Sequence, residues 1–130
     1  MKLSKAQREQ VRMMFGEKCA YCGCELTGEW HADHVVPIYR EREDIGGADT
    51  LENIYPACKD CNRHKRVYSV EEWRKELMAQ VDRARLRSFN FRTAERFGLV
   101  HITGKPVVFW FEKYNAAQPS GHLEAPWHSF

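Results

Sequence analysis

The sequence lacks the segments that carry a protein into or across a membrane. No stretch approaches the run of about 20 apolar residues that a membrane-spanning helix needs. Residues 1–10 are polar and charged, without the apolar centre of a secretion signal. These absences argue against a membrane protein and a secreted one, so we expect a cytoplasmic location.

The chain also lacks the signs of a disulfide framework, because its five cysteines follow no leading apolar stretch, and this favours a reducing compartment. Four of them form two Cys-x-x-Cys pairs, Cys19/Cys22 and Cys58/Cys61. Each pair is a tight turn that can aim two thiolates at one ion. Four sulfurs complete a closed tetrahedral shell, which predicts a structural zinc site. Cys24 lies too close to Cys22 to grip in the same way, and we interpret it as a small packing residue rather than a substitute ligand.

The net charge is also small, and +2 over 130 residues is too little to indicate a binding partner by itself. The charge is unevenly distributed, since the segment 83–96 holds five arginines and one acid. Such a basic stripe is typical of a surface that faces phosphate, and we expect Arg83, Arg85 and Arg87 to contact nucleic acid. An ordinary solvated helix face is the alternative and fits the pattern equally well.

Apolar periodicity and turn residues predict a mixture of helices and short strands. Predicted helices cover residues 4–16, 62–66, 70–87 and 93–97. Short strands are predicted within 28–38 and 50–55, on either side of a charged loop, and a β-hairpin within 99–114. The run Phe109-Trp110-Phe111 is expected to pack on the helix 70–87, with a base-stacking platform as the alternative.

This order of elements predicts an α+β fold with a small zinc-stabilised core. We expect residues 1–69 to form the core with its N-terminal helix, and 70–115 to form a helix and hairpin extension packed on it. Residues 116–130 are expected to be irregular, because they contain Pro119, Gly121 and Pro126.

Four motifs in residues 17–66 occur in a set order. They are Cys19-x-x-Cys22, Asp33-His34-Val-Val-Pro37, Gly46-Gly47-x-Asp49-Thr-x-Glu-Asn53 and Cys58-x-x-Cys61-Asn62-x-x-Lys65. Together they resemble the HNH endonuclease family of phage and bacterial proteins. The resemblance implies a ββα-metal (His-Me finger) fold and metal-dependent hydrolysis of phosphodiester bonds in DNA, in a bacterial or phage-infected bacterial cell.

The resemblance also implies roles for three residues. His34 would be the general base that activates water, since a neutral imidazole takes up a proton near neutral pH. Asp33 would bind the catalytic divalent cation, and Asn53 would hold the loop and His34 by side-chain hydrogen bonds. One difficulty is that Asp33 and His34 are neighbours, and neighbours in a regular strand face opposite sides.

Asn62 stands where the third signature position of the family often has histidine. A carboxamide oxygen can still bind a hard cation, so we expect Asn62 to share the ion with Asp33, the ion being Mg²⁺, Mn²⁺ or Ni²⁺. Lys65 and Arg66 follow on the same predicted helix and are expected to meet phosphate. The expected partner is DNA, with double-stranded DNA preferred. The sequence does not decide between a monomer and a homodimer.

Two histidines that are not signature residues of the motifs are weaker candidates for a role in the site. His31 is interpreted as a surface or hydrogen-bonding residue, while His64 is the first substitute for the base if His34 is not it. The competing functions are a catalytically silent zinc-knuckle module that binds DNA, and a protein-interaction adaptor on the same four cysteines. The acid, imidazole and amide together disfavour the adaptor.

Overall fold

Six α-helices and two β-strands form within residues 2–39, 41–42 and 44–119, the part of the chain that the computed structural model describes. In chain order the elements are α1 (Lys5–Arg12), β1 (Trp30–His34), a 3-10 turn (Leu51–Asn53), β2 (Ile54–Cys58), α2 (Lys59–Lys65), α3 (Val70–Met78), α4 (Gln80–Arg87), α5 (Phe89–Arg96) and α6 (Trp110–Ala116). The predicted α+β class is confirmed. No helix among these residues has both the length and the apolarity to cross a membrane.

The chain divides into two compact units. The core unit runs up to Val70 and resumes at Val108, and the helical unit is Glu71–Val107. The prediction placed residues 108–115 in an extension, whereas the structure returns them to the core unit. Residues 120–130 of the predicted irregular tail lie outside the described residues.

The two strands form an antiparallel sheet in the core unit. Trp30 lies opposite Cys58 and His34 lies opposite Ile54. The loop between the strands starts just after His34 and returns through the 3-10 turn. Because α2 follows β2 directly, the second cysteine pair and Asn62 lie next to β1 in space, although the predicted motifs are far apart in sequence.

A cluster of buried aromatic rings forms the centre of the core unit. Tyr21 lies edge-on to Phe109 and Phe111, with ring centroids 5.7 and 6.2 Å apart. Phe15 meets Tyr55 edge-on at 4.8 Å. All five side chains are at most 6% exposed, so this cluster is the apolar core against which the first cysteine pair is packed.

The predicted β-hairpin within 99–114 is wrong, since its second half contains α6 and no strand is described in this stretch. At the start of α6 the backbone N–H groups of Trp110 and Phe111 donate to the carbonyls of Tyr21 and Ala20, at 3.0 and 2.7 Å. These bonds hold Phe109 and Phe111 in the core unit and let a helix begin there. The alternating apolar pattern of this segment reflects this docking and not a strand.

Two predicted helices have different bounds in the structure. The helix 70–87 is divided at Ala79, whose N–H is shared between the carbonyls of Lys75 and Glu76, while the Gln80 side chain also bonds the Glu76 carbonyl. The N-terminal helix begins at the predicted Ser4 cap but ends at Arg12 rather than near Gly16, because the next N–H groups close tighter turns.

Candidate active site and metal centre

The sulfur atoms of Cys19, Cys22, Cys58 and Cys61 all lie within 4.8 Å of one another. We call this group the four-sulfur cluster. A tetrahedron with Zn–S bonds of about 2.3 Å has sulfur–sulfur separations of roughly 3.8 Å. The Sγ atoms of Cys22 and Cys58 are 3.8 Å apart, so the cluster has the dimensions of a closed tetrahedral metal site.

Hydrogen bonds from the backbone and between thiols link the members of the four-sulfur cluster. The N–H groups of Tyr21 and Cys61 each lie 3.4 Å from a cluster sulfur. A hydrogen bond from the Cys61 thiol lowers the pKa of Cys19 to about 4, and the same contact raises the pKa of Cys61. Cys24 is outside the group and exposed, so its interpretation as a packing residue is wrong.

Asp33 is buried on β1, with only 5% of its surface exposed. Its Oδ2 accepts a hydrogen bond from the Tyr21 hydroxyl at 2.5 Å and pairs with the Lys65 ammonium at 3.1 Å. Its Oδ1 faces the Asn62 amide at 3.3 Å. Burial raises the pKa of the Asp33 carboxyl, and the Lys65 charge opposes that rise. One carboxylate oxygen is therefore fully engaged and the other faces Asn62.

His34 is the next residue along β1, and its side chain contacts a different group. Its Nε2 lies 2.7 Å from Oδ1 of Asp49, while its backbone carbonyl accepts a hydrogen bond from Lys65 at 3.0 Å. Asp49 was not assigned a role from the sequence, although it stands in the Gly-Gly-x-Asp motif. The signal that could have identified it is a carboxylate two residues before the Leu-Glu-Asn turn that leads into β2.

Asn53 closes the loop that carries Asp49. Its side-chain oxygen accepts from the Val36 N–H, and its amide donates to the carbonyls of Val36 and Ala48, each at 2.9 Å. Its backbone carbonyl accepts from Val35 at 2.9 Å. A Cβ on Gly47 would lie only 2.4 Å from the Val36 carbonyl, so glycine is needed for this close approach. Asn53 thus holds both ends of the loop beside His34.

Lys65 was predicted to meet phosphate, and this is wrong because its side chain is fully buried. Its ammonium is used inside the core unit by Asp33 and by the His34 carbonyl. Arg66, the next residue, is exposed and ends α2 with a positive φ of 50°, so its expected contact with phosphate stays a prediction. His31 lies at the surface, 3.8 Å from Glu29, and His64 is exposed.

The predicted arginine stripe is partly neutralised by acids in the helical unit. Arg83 pairs with Glu76 at 2.5 Å, and Arg85 binds both carboxylate oxygens of Glu95, at 2.7 and 2.9 Å. Arg87 is exposed, and among the described residues it has no ion pair. The structure therefore does not present the three predicted arginines as one set of free cations.

The arrangement of two cysteine pairs around an Asp-His strand and an asparagine-closed loop agrees with a known family. Residues 19–67 match the family model described as HNH endonuclease. This segment of the chain is therefore similar to HNH endonuclease domains. This confirms the resemblance drawn from the motifs, and the matched range includes the four-sulfur cluster, Asp33, His34 and Asn62.

One curated relative of this chain comes from a prophage. It is the SPbeta prophage-derived protein YoqL of Bacillus subtilis strain 168, whose name describes it as a candidate HNH endonuclease. The two are 30% identical over an alignment 80 residues long, and the match covers 55% of this chain. The chain spans about a third of that relative's length, since the match covers 33% of it. No solved structure matches the chain.

Proposed function

We propose that this protein is a metal-dependent endonuclease that hydrolyses phosphodiester bonds in duplex DNA. The observation that carries the proposal is the pairing of His34 with Asp49 beside a carboxylate oxygen of Asp33 that faces Asn62. An imidazole held by a carboxylate and an oxygen pair able to bind a cation are the groups that phosphodiester hydrolysis requires. The order β1, β2, α2 supports a ββα-metal core.

The four-sulfur cluster is proposed to hold a structural zinc ion. Four thiolates leave no open position for water or substrate, so such an ion takes no part in the reaction. Its role is to tie the turn that carries Tyr21 to the start of α2, which carries Asn62. In a unit of this size, metal binding supplies a large part of the folding free energy.

A second, catalytic cation is proposed to bind Oδ1 of Asp33 and the side-chain oxygen of Asn62. Oxygen and nitrogen of an amide exchange places by rotation of the group, so Asn62 can turn its oxygen toward a cation that lies between the two side chains. A carboxylate and a carboxamide oxygen form a hard donor set, which favours Mg²⁺ or Mn²⁺ over Ni²⁺. When bound, the cation would stabilise charge on the phosphate and on the leaving oxygen.

His34 is proposed to be the general base. Because its Nε2 faces a carboxylate, that nitrogen carries the proton of the neutral ring and Nδ1 presents its lone pair. Within the described residues, Nδ1 makes no hydrogen bond, so it is available to accept a proton from water. Asp49 then stabilises the imidazolium that forms, as the carboxylate does in hydrolytic triads.

DNA is proposed to contact the exposed face of α5 rather than the paired arginines of α4. Phe89, Arg92, Arg96 and Phe97 recur at helical spacing on this face, and the two phenylalanines are 68% and 74% exposed. The face has two cations interleaved with two aromatic rings and no acid. This pattern is typical of nucleic-acid contacts, in which arginine meets phosphate and aromatic rings meet bases.

The test is a plasmid-cleavage assay of the zinc-loaded protein with Mg²⁺, Mn²⁺ or Ni²⁺. His34→Ala should lower cleavage by about 10²- to 10⁴-fold, the usual effect of a positioned general base, while DNA binding persists. His31→Ala is the matched control, because His31 is a surface histidine on the same strand. This variant should cleave DNA like wild type.

The second candidate function is a DNA-binding module that has lost cleavage, which the asparagine at position 62 favours. Tight DNA binding by the wild type without cleavage in any of the three metals would reject the nuclease and support the module. Equal cleavage by His34→Ala and wild type would reject His34 as the base and make His64 the next residue to test.

A further inference from the structure

We propose that Tyr21, which lies between the two cysteines of the first pair, positions Asp33 for its cation. The inference rests on the proposed function in one respect, namely that Asp33 binds a divalent cation. Tyr21 was not singled out by its motif, which requires only the two cysteines. The turn that carries the first cysteine pair would then also set the orientation of the Asp33 carboxylate at the cation site.

Tyr21 is fixed from several directions. Its backbone N–H lies 3.4 Å from the Cys19 sulfur, and its carbonyl accepts the N–H of Trp110 at 3.0 Å. The ring is 3% exposed and lies edge-on to Phe109 and Phe111 in the aromatic cluster. A ring held in this way cannot move its hydroxyl without disturbing the four-sulfur cluster or the packing of the aromatic core.

The hydroxyl is aimed at one oxygen of Asp33. It donates to Oδ2 at 2.5 Å, the oxygen that Lys65 also contacts at 3.1 Å. A carboxylate only accepts hydrogen bonds, so the Tyr21 hydroxyl is the donor of this pair. Two donors on Oδ2 fix the plane of the carboxylate, and Oδ1 is the oxygen left facing Asn62.

Without the Tyr21 hydroxyl, Oδ2 of Asp33 loses one of these two donors and keeps the other, Lys65. The carboxylate can then rotate and bring both oxygens toward the ammonium, which takes Oδ1 away from Asn62. The phenol also withdraws some charge from the carboxylate, so its loss would make Asp33 a more basic ligand. We expect orientation to dominate, because hydrogen-bonding partners of metal ligands commonly change metal affinity by about 10- to 100-fold.

The experiment compares Tyr21→Phe with wild type by calorimetric titration of Mn²⁺ into the zinc-loaded protein without DNA. Tyr21→Phe keeps the ring, so we expect it to fold and retain its zinc, with a dissociation constant for Mn²⁺ raised about 10- to 100-fold. Tyr114→Phe is the matched control, since the Tyr114 ring packs on Phe15 of the aromatic cluster, and this variant should bind Mn²⁺ like wild type.

A second measurement needs no variant. Titration of the wild type with Mg²⁺, followed by the ¹³Cζ resonances of its tyrosines, should shift Tyr21 and leave Tyr114 unchanged. An unshifted Tyr21 resonance on saturation, or a Mn²⁺ affinity of Tyr21→Phe equal to or tighter than wild type, would overturn the role of Tyr21 and leave the nuclease proposal standing. A wild type that binds neither ion overturns the cation site itself, and the inference with it.

Discussion

The buried ion pair between Lys65 and Asp33 allows a quantitative test of how the site is held. The Lys65 side chain is fully buried, with its ammonium 3.1 Å from Oδ2 of Asp33 and 3.0 Å from the His34 carbonyl. Lys65→Met keeps most of the side-chain volume and removes the charge. Breaking a buried pair in this way costs about 3–5 kcal/mol, because the remaining charge has lost its partner. Asp33→Asn should cost a similar amount.

The double variant Asp33→Asn/Lys65→Met should be more stable than either single variant. Both charges are then absent, and replacing a whole buried pair by neutral groups is often close to neutral in free energy. The His34 carbonyl still loses its donor, which costs about 1 kcal/mol. The measurement is urea unfolding of the zinc-loaded proteins at neutral pH. Lys59→Met is the control, because Lys59 is an exposed lysine of α2 that pairs with Glu29 at 3.6 Å. This substitution should lower the free energy of unfolding by less than about 1 kcal/mol.

The effect should also depend on pH. Burial raises the pKa of Asp33 in the folded protein, and removing Lys65 takes away the charge that opposes that rise. A raised folded pKa gives stability that is present below the unfolded pKa and is lost as pH rises through the folded one. The destabilisation by Lys65→Met should therefore grow as pH rises through the raised pKa of Asp33. A Lys65→Met cost under about 1 kcal/mol, or a double variant equal to the sum of the singles, would refute this reasoning.

Three further predictions concern the zinc, the DNA surface and the base. The purified protein should contain one zinc per chain and Cys58→Ser should unfold the core unit, whereas elemental analysis that finds no zinc in a folded sample would contradict the zinc assignment. Arg92→Gln/Arg96→Gln should weaken DNA binding on all sequences and reduce the slope of log affinity against log salt by about one per lost phosphate contact. Neutralising the ion-paired arginines of α4 should have a smaller effect. The opposite ranking would move the DNA surface back to α4. Asp49→Ala should slow cleavage and change the ¹⁵N ring shifts of His34, and unchanged shifts would show that Asp49 does not set the tautomer.

The cysteine pairs illustrate how much spacing alone can predict. Two residues between cysteines fix a turn whatever the rest of the chain does, so a shared site for Cys19, Cys22, Cys58 and Cys61 could be expected, and the structure brings these sulfurs together. Asn53 was likewise predictable as the residue that holds the loop, and its bonds reach Val36 of the Asp-His motif and Ala48 of its own motif. The predicted hairpin failed because an alternating pattern does not say what the segment will pack against.

The features that could be predicted from the residues alone are local: the cysteine turns, the capped start of α1, the Asp-His strand and the asparagine that closes the loop after it. Tertiary structure decided which side chains share a charge or a proton. Tyr21 and Asp33 are 12 residues apart, and the Lys65 ammonium meets a carbonyl 31 residues away. Lysine has the same sequence signature whether it faces phosphate or a buried carboxylate. Only the packing of α2 on β1 removes Lys65 from water. Once the ammonium is buried it must pair with whichever polar groups lie within a few ångströms, and the sequence motif does not specify these groups.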